Sequence, residues 1–213
     1  MLERSTLPNV ITVGRILMAP AVLFLILAPS FLNLLVGFVL FLVAAVSDLW
    51  DGYLARKHGW ISDFGKLADP IADKLLLVAT FVPFYILSHA PGSFGALPVW
   101  GTLPLWVLVI VLGREVLITG LRTWSARRGR VLPAGRAGKY KAVVQNVFIG
   151  STILWYALRS RALEYHWRGL LWDGWQALHG TVLALSLAIA VILTVYSMIV
   201  YLRTWRVLAR GTG

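Results

Sequence analysis

Cysteine is absent from the 213 residues, which excludes a disulfide framework, a thiol nucleophile and a thiolate metal site. Acid is scarce, with 9 Asp and Glu against 20 Lys and Arg. The histidines, His58, His89, His166 and His179, are scattered without metal-ligand spacing and read as bystanders. No Pro-, Gly- or Ser-rich linker divides the chain and neither half repeats the other, so one domain over residues 1–213 is expected. The stretch 89–102 has no Lys or Arg at all, which marks it as an outer loop if the chain crosses a membrane.

Hydrophobic residues make up 59% of the chain, mean hydropathy is +0.77, and several runs approach the ~20 apolar residues that span a bilayer. The expected fold is all-α integral membrane, with a short N-terminal interfacial helix and six transmembrane helices. The spans fall at about 8–28, 31–55, 66–88, 103–124, 139–158 and 178–202. Because the first hydrophobic run continues through Ala28 and further spans follow, a cleaved signal peptide is not expected. The net charge of +11 sits in short loops between apolar runs, above all around 56–62 and 122–141. That pattern fits the positive-inside rule and anionic lipid, and argues against nucleic acid as a partner. Both termini and the basic loops are thereby placed in the cytosol and the chain in the cell (inner) membrane. The ten tryptophans suit interfacial anchoring, including those of an aromatic outer loop at 159–177, where Arg159, Arg161 and Arg168 depart from the charge rule.

Against this apolar background the acids stand out. On a helix, Asp48, Asp51, Gly52 and Ala55 share a sector roughly 100° wide, and Asp69 and Asp73 stack one turn apart on the next helix. An aspartate deep in a bilayer costs at least ~2.5 kcal/mol, so four carboxylates gathered together call for cations. All-oxygen ligation suits Mg²⁺, Mn²⁺ or Ca²⁺, and four carboxylates are enough for two ions. Gly52, Ala55 and Gly65 leave room for a ligand beside them, and Arg56 would pair with a phosphate. Intramembrane acids also serve cation transporters and structural ion-pair networks, which remain alternatives on composition alone.

The pattern Asp48-x-x-Asp51-Gly52-x-x-Ala55-Arg56, eight residues, then Gly65-x-x-x-Asp69-x-x-x-Asp73 resembles the signature of the CDP-alcohol phosphotransferase family at every named position and spacing. The resemblance implies a membrane enzyme that displaces CMP from a CDP-linked lipid with an alcohol. It implies Mg²⁺ or Mn²⁺, in a pair, on Asp48, Asp51, Asp69 and Asp73, with Asp73 as general base. It places Gly52, Ala55, Arg56 and Gly65 around the CDP moiety. Asn9, Thr12 and Arg15, at three-residue steps, are similar to a stretch that family members carry near the nucleotide; the alternative is a surface helix whose Arg15 snorkels to headgroups.

Farther on, GREVLITGLR from Gly113 and GKYKAVVQN from Gly138 are similar to the branch of the family that uses glycerol 3-phosphate to make phosphatidylglycerophosphate. That branch implies CDP-diacylglycerol and glycerol 3-phosphate as substrates, and a homodimer is expected. Arg114, Arg122, Lys139 and Lys141 are the candidates for the acceptor's phosphate. For Arg114 the alternative is a local pair with Glu115 or a nearby Asp, and for Arg122 an interfacial snorkel. A sister enzyme with inositol phosphate, serine or phosphatidylglycerol as acceptor would share the acid motif.

Overall fold

The computed structural model describes residues 7–58, 63–92, 94–128 and 136–210; within its helices the side chains of 7, 8, 49, 51–58, 63, 64, 66, 67, 136, 137, 139 and 207–210 fall outside the description. Among the described residues there are six helices and no strand. They are α1 (Leu7–Leu27), α2 (Phe31–His58), α3 (Asp63–Ser88), α4 (Leu105–Arg127), α5 (Arg136–Glu164) and α6 (Leu170–Arg210). Four carry stretches long and apolar enough to cross a bilayer: Asn9–Leu27, Phe31–Asp48, Ala68–Ser88 and Leu170–Arg206. The other two are interrupted by charge, with Arg114, Glu115 and Arg122 in α4 and Lys139, Lys141, Arg159 and Arg161 in α5.

At the N-terminus the described residues begin at Leu7, and the residues before it lie outside the description. Residues 7–27 run as one helix through Pro20. Within that helix Thr12 and Arg15 turn into the protein, both almost wholly buried.

The connection from α5 to α6 differs from expectation. α5 continues to Glu164 and α6 begins at Leu170, so the expected loop 159–177 contracts to 165–169. Helical spacing lets the aromatic residues stack on one another. Trp172 and Trp175 have ring centroids 5.0 Å apart, Trp175 and His179 4.5 Å, and Trp155 of α5 lies 5.6 Å from Trp175. Two of the three basic residues that broke the charge rule, Arg159 and Arg161, have partners here. Arg159 Nη1 donates to the Ala96 carbonyl at 2.9 Å, and Arg161 lies over the rings of Phe31 and Tyr165.

α1 packs extensively on both α2 and α3, α5 on α2 and α6, and α4 on α6 and α3. The centre is aromatic: Phe41, Phe81, Phe84, Phe148 and Tyr156 are buried, with Phe81 and Phe148 at 5.5 Å. Buried hydroxyls return to their own helices, as Thr80, Thr152 and Thr194 donate to carbonyls four residues back at 2.9, 2.8 and 2.6 Å. Where water is excluded, that back-bonding is the cheapest way to satisfy a hydroxyl.

The connection 89–104 is drawn into the end of the bundle. Tyr156 Oη donates to the Gly95 carbonyl at 2.9 Å and the Leu103 amide to Ser88 Oγ at 3.0 Å. A Cβ on Gly95 would stand 1.7 Å from the Leu87 carbonyl oxygen, which no small shift relieves. Gly95→Ala therefore costs about 1–3 kcal/mol through overpacking, read as a lower melting temperature in detergent. Gly174→Ala, with nothing within 4 Å of its added Cβ, is the matched control; it should be neutral or gain up to ~1 kcal/mol of helix stability.

Candidate active site

Three helices converge where α2 ends and α3 begins. Asp48 comes from α2, Asp69 and Asp73 from α3, and between them α1 inserts Thr12 and Arg15. Arg15 Nη1 lies 2.6 Å from Asp48 Oδ1, and Arg15 Nη2 donates to Asp73 Oδ1, so one guanidinium spans both acidic helices. One turn before Asp73, Asp69 Oδ1 accepts from Thr12 Oγ1 at 2.6 Å. Arg15 is 2% exposed while Asp48 and Asp73 are 39% and 54% exposed, so the cation is sealed in protein and the carboxylates open outward.

They open into a cavity of about 110 Å³ lined by Arg15, Asp48 and Asp73 on one side and Glu115, Lys141, Gln145 and Asn146 on the other. On the far wall Glu115 Oε1 accepts from Arg114 Nη1 at 2.8 Å and from Lys141 Nζ, tying α4 to α5. The two sides are opposite in formal charge. Asp48, Asp73 and Arg15 sum to −1, while Glu115 and Lys141 on the far wall cancel and Arg114, paired with Glu115 from behind, leaves that side at +1. A cation is favoured at one wall and an anion at the other. Beside this cavity runs an apolar groove between α2 and α5, lined by Phe38, Phe41, Leu42, Val147, Gly150 and Leu154; it shares Ala45 and Asn146 with the polar cavity.

Asp48, Asp69 and Asp73 thus gather as expected, but they are not the unpaired cluster the sequence suggested, because Arg15 already bridges two of them. The snorkelling alternative for Arg15 does not hold. Thr12 touches Asp69 directly, and Asn9 and Gly65 are only partly exposed. Asp51, Gly52, Ala55 and Arg56 lie in the last turns of α2 and Lys139 in the first of α5, with side chains outside the description, as is the basic loop around 59–62. Lys141 lines the cavity, whereas Arg114 and Arg122 do not; their guanidiniums stand 5.5 and 5.7 Å from the Tyr201 ring centroid on α6.

Among the described residues no three acids or histidines are arranged as a ready metal site. The donor set nevertheless fits a hard divalent cation, being carboxylates from two helices meeting at one exposed rim. Glu115, Gln145 and Asn146 were not singled out from sequence as site residues. The available signal was the helical register, which puts Gln145 one turn after Lys141 on the same face.

This architecture and site define an enzyme of a known class: residues 5–196 match the model of the CDP-alcohol phosphatidyltransferase family, and the chain belongs to that family. Membership sets aside the cation-transporter alternative. The chain is 32% identical over 160 residues to a Bacillus subtilis protein named CDP-diacylglycerol–glycerol-3-phosphate 3-phosphatidyltransferase, covering 70% of this chain and 76% of that one. It is 32% identical over 210 residues to the chloroplastic and mitochondrial enzyme of that name from Arabidopsis thaliana, covering 96% and 64%. A probable phosphatidylglycerophosphate synthase of Mycobacterium tuberculosis is 35% identical over 153 residues, covering 70% and 66%.

Removing Arg15 leaves Asp48 and Asp73 facing each other without their shared cation. Arg15→Ala should cost about 1–3 kcal/mol, less than the 3–5 of a fully buried pair because both carboxylates reach solvent, seen as a lower melting temperature in chelator. Millimolar Mg²⁺ should raise that temperature more in the variant than in the unaltered protein, since a bound cation stabilises the state it binds. Equal Mg²⁺ shifts in both proteins would disconnect Arg15 from the cation site.

Proposed function

We propose that the chain transfers a phosphatidyl group from CDP-diacylglycerol to glycerol 3-phosphate, giving phosphatidylglycerophosphate and CMP. The observation that carries this reading is a cavity with carboxylates from α2 and α3 on one wall and Lys141 on the other. The names of the relatives agree with it.

The pyrophosphate of the donor resists attack because its negative charge repels nucleophiles. Asp48, Asp51, Asp69 and Asp73 would hold divalent cations, Mg²⁺ or Mn²⁺ and by the sequence pattern two of them. The chemistry supplied there is neutralisation of that charge. Gly52, Ala55, Arg56, Gly65, Asn9 and Thr12 are assigned to the CDP moiety. The acyl chains are assigned to the apolar groove between α2 and α5, which adjoins the polar cavity through Ala45 and Asn146. Lys141 seats the acceptor's phosphate, with Lys139 as a second candidate; Arg114 and Arg122 act from behind, Arg114 through the Glu115 that both it and Lys141 engage.

In the transfer itself, the acceptor's primary hydroxyl oxygen forms a bond to the phosphorus bearing diacylglycerol. The bond from that phosphorus to the bridging oxygen breaks, the hydroxyl proton passes to the Asp73 carboxylate, and CMP leaves with the bridging oxygen. Asp73 suits this role because it is exposed to the cavity and fixed by Arg15.

The same reading places six helices across the cell (inner) membrane, with the site at the cytosolic end. α4 and α5 are included because Arg114, Glu115 and Lys141 pair with one another inside the bundle, which is how charge is tolerated in a membrane-embedded segment. A homodimer is part of the proposal, to be tested by native mass in detergent.

Purified protein incubated in detergent with CDP-diacylglycerol and a panel of alcohols should release CMP with glycerol 3-phosphate, lose activity to chelator and regain it with Mg²⁺ or Mn²⁺. Preference for inositol phosphate, serine or phosphatidylglycerol would reassign the acceptor. Asp73→Asn should lower kcat ~10²–10⁴-fold with the melting temperature little changed. Lys141→Ala should raise KM for glycerol 3-phosphate on the order of tenfold to a hundredfold, as expected for one charged hydrogen bond, while KM for CDP-diacylglycerol stays put.

A further inference from the structure

Gln145 is 2% exposed, yet its amide nitrogen Nε2 finds no hydrogen-bond partner among the described residues. Burying an amide donor unpaired is costly, and its neighbours avoid doing so: Thr152 on the same helix bonds back to Phe148. Trp155 Nε1, Trp205 Nε1 and Arg114 Nε are also buried without partners, but none of those residues lines the cavity. Gln145 does line it, together with Lys141, Glu115 and Asp73.

Its register supplies the second half of the argument. Gln145 follows Lys141 by four residues on α5, which sets the two side chains on one face about 6 Å apart along the axis. That spacing suits a short phosphorylated polyol, with its phosphate at the ammonium and a hydroxyl one turn along. A primary amide offers a donor and an acceptor side by side, the pairing a hydroxyl group needs, whereas a phosphate oxygen can only accept.

Resting on the transfer reading above, we propose that Gln145 determines acceptor specificity by donating from its amide to the secondary hydroxyl of a three-carbon polyol phosphate held at Lys141. The primary hydroxyl is left to Asp73. A site that hydrogen-bonds a substrate hydroxyl discriminates against the analogue lacking it, because its own polar group is then stranded.

The test compares glycerol 3-phosphate with 3-hydroxypropyl phosphate, which lacks only the secondary hydroxyl, as acceptors for CMP release. The unaltered enzyme should prefer glycerol 3-phosphate by tenfold or more in kcat/KM, and Gln145→Leu should bring the two acceptors within about threefold. The loss should fall mainly on KM for glycerol 3-phosphate. The melting temperature of Gln145→Leu should be equal to or above that of the unaltered protein, since an apolar side chain replaces a stranded amide. Gln145→Met, closer in shape, should behave alike and substitutes if the Leu variant does not fold. Unchanged discrimination in the variants, with or without a lower melting temperature, overturns the assignment and makes the amide structural. An unaltered enzyme that uses neither acceptor but releases CMP with another alcohol overturns the glycerol 3-phosphate reading itself.

Discussion

One guanidinium is the point on which the site turns. Arg15, buried on α1, reaches Asp48 on α2 with one nitrogen and Asp73 on α3 with another, and α1 packs on both of those helices. Carboxylates brought together in a low-dielectric bundle repel each other and resist desolvation. A fixed cation behind them reduces both penalties without occupying the side that faces the cavity. The remaining negative charge is therefore directed toward the space where a cation and a diphosphate would meet.

The opposite wall is built by the same logic with the signs exchanged. Glu115 is a carboxylate flanked by Arg114 and Lys141, and the surplus there is positive. Arg114 and Arg122 are turned toward the face of Tyr201, where a guanidinium interacts with the ring quadrupole. This leaves Lys141 as the cation on the cavity wall, with Gln145 beyond it. Of the charges that keep α4 and α5 from reading as simple spans, Glu115 and Lys141 line this wall and Arg114 stands behind it. Polar function and membrane residence are reconciled by pairing charge inward.

The far end of the bundle does a different job. The connection 89–104 is held by Tyr156, Arg159 and Ser88, and the stacked rings of Trp155, Trp172, Trp175 and His179 bind α5 to α6. Aromatic residues that read as a loosely structured outer loop are helical because a spacing of three or four residues lets successive rings stack. Hydropathy registers their polarity and position at an interface, but not this periodic contact.

The sequence by itself determined the all-helical, membrane-suited character of the chain, the start of each helix to within a few residues for five of the six, and the nearness of Asp48, Asp69 and Asp73 to one another. These are properties of local pattern: hydrophobic run length, a 3.6-residue period and the spacing of Asp48, Asp51, Asp69 and Asp73. The unbroken α1, the Arg15 bridge, the distance of Arg114 and Arg122 from the cavity, and the parts of Glu115 and Gln145 were decided by tertiary structure. Each depends on which residue of another helix a side chain meets, and a charged or amide group carries no local mark of its partner. Arg15 can reach headgroups or two aspartates with equal ease until α1 is packed between α2 and α3, and only that packing removes the choice.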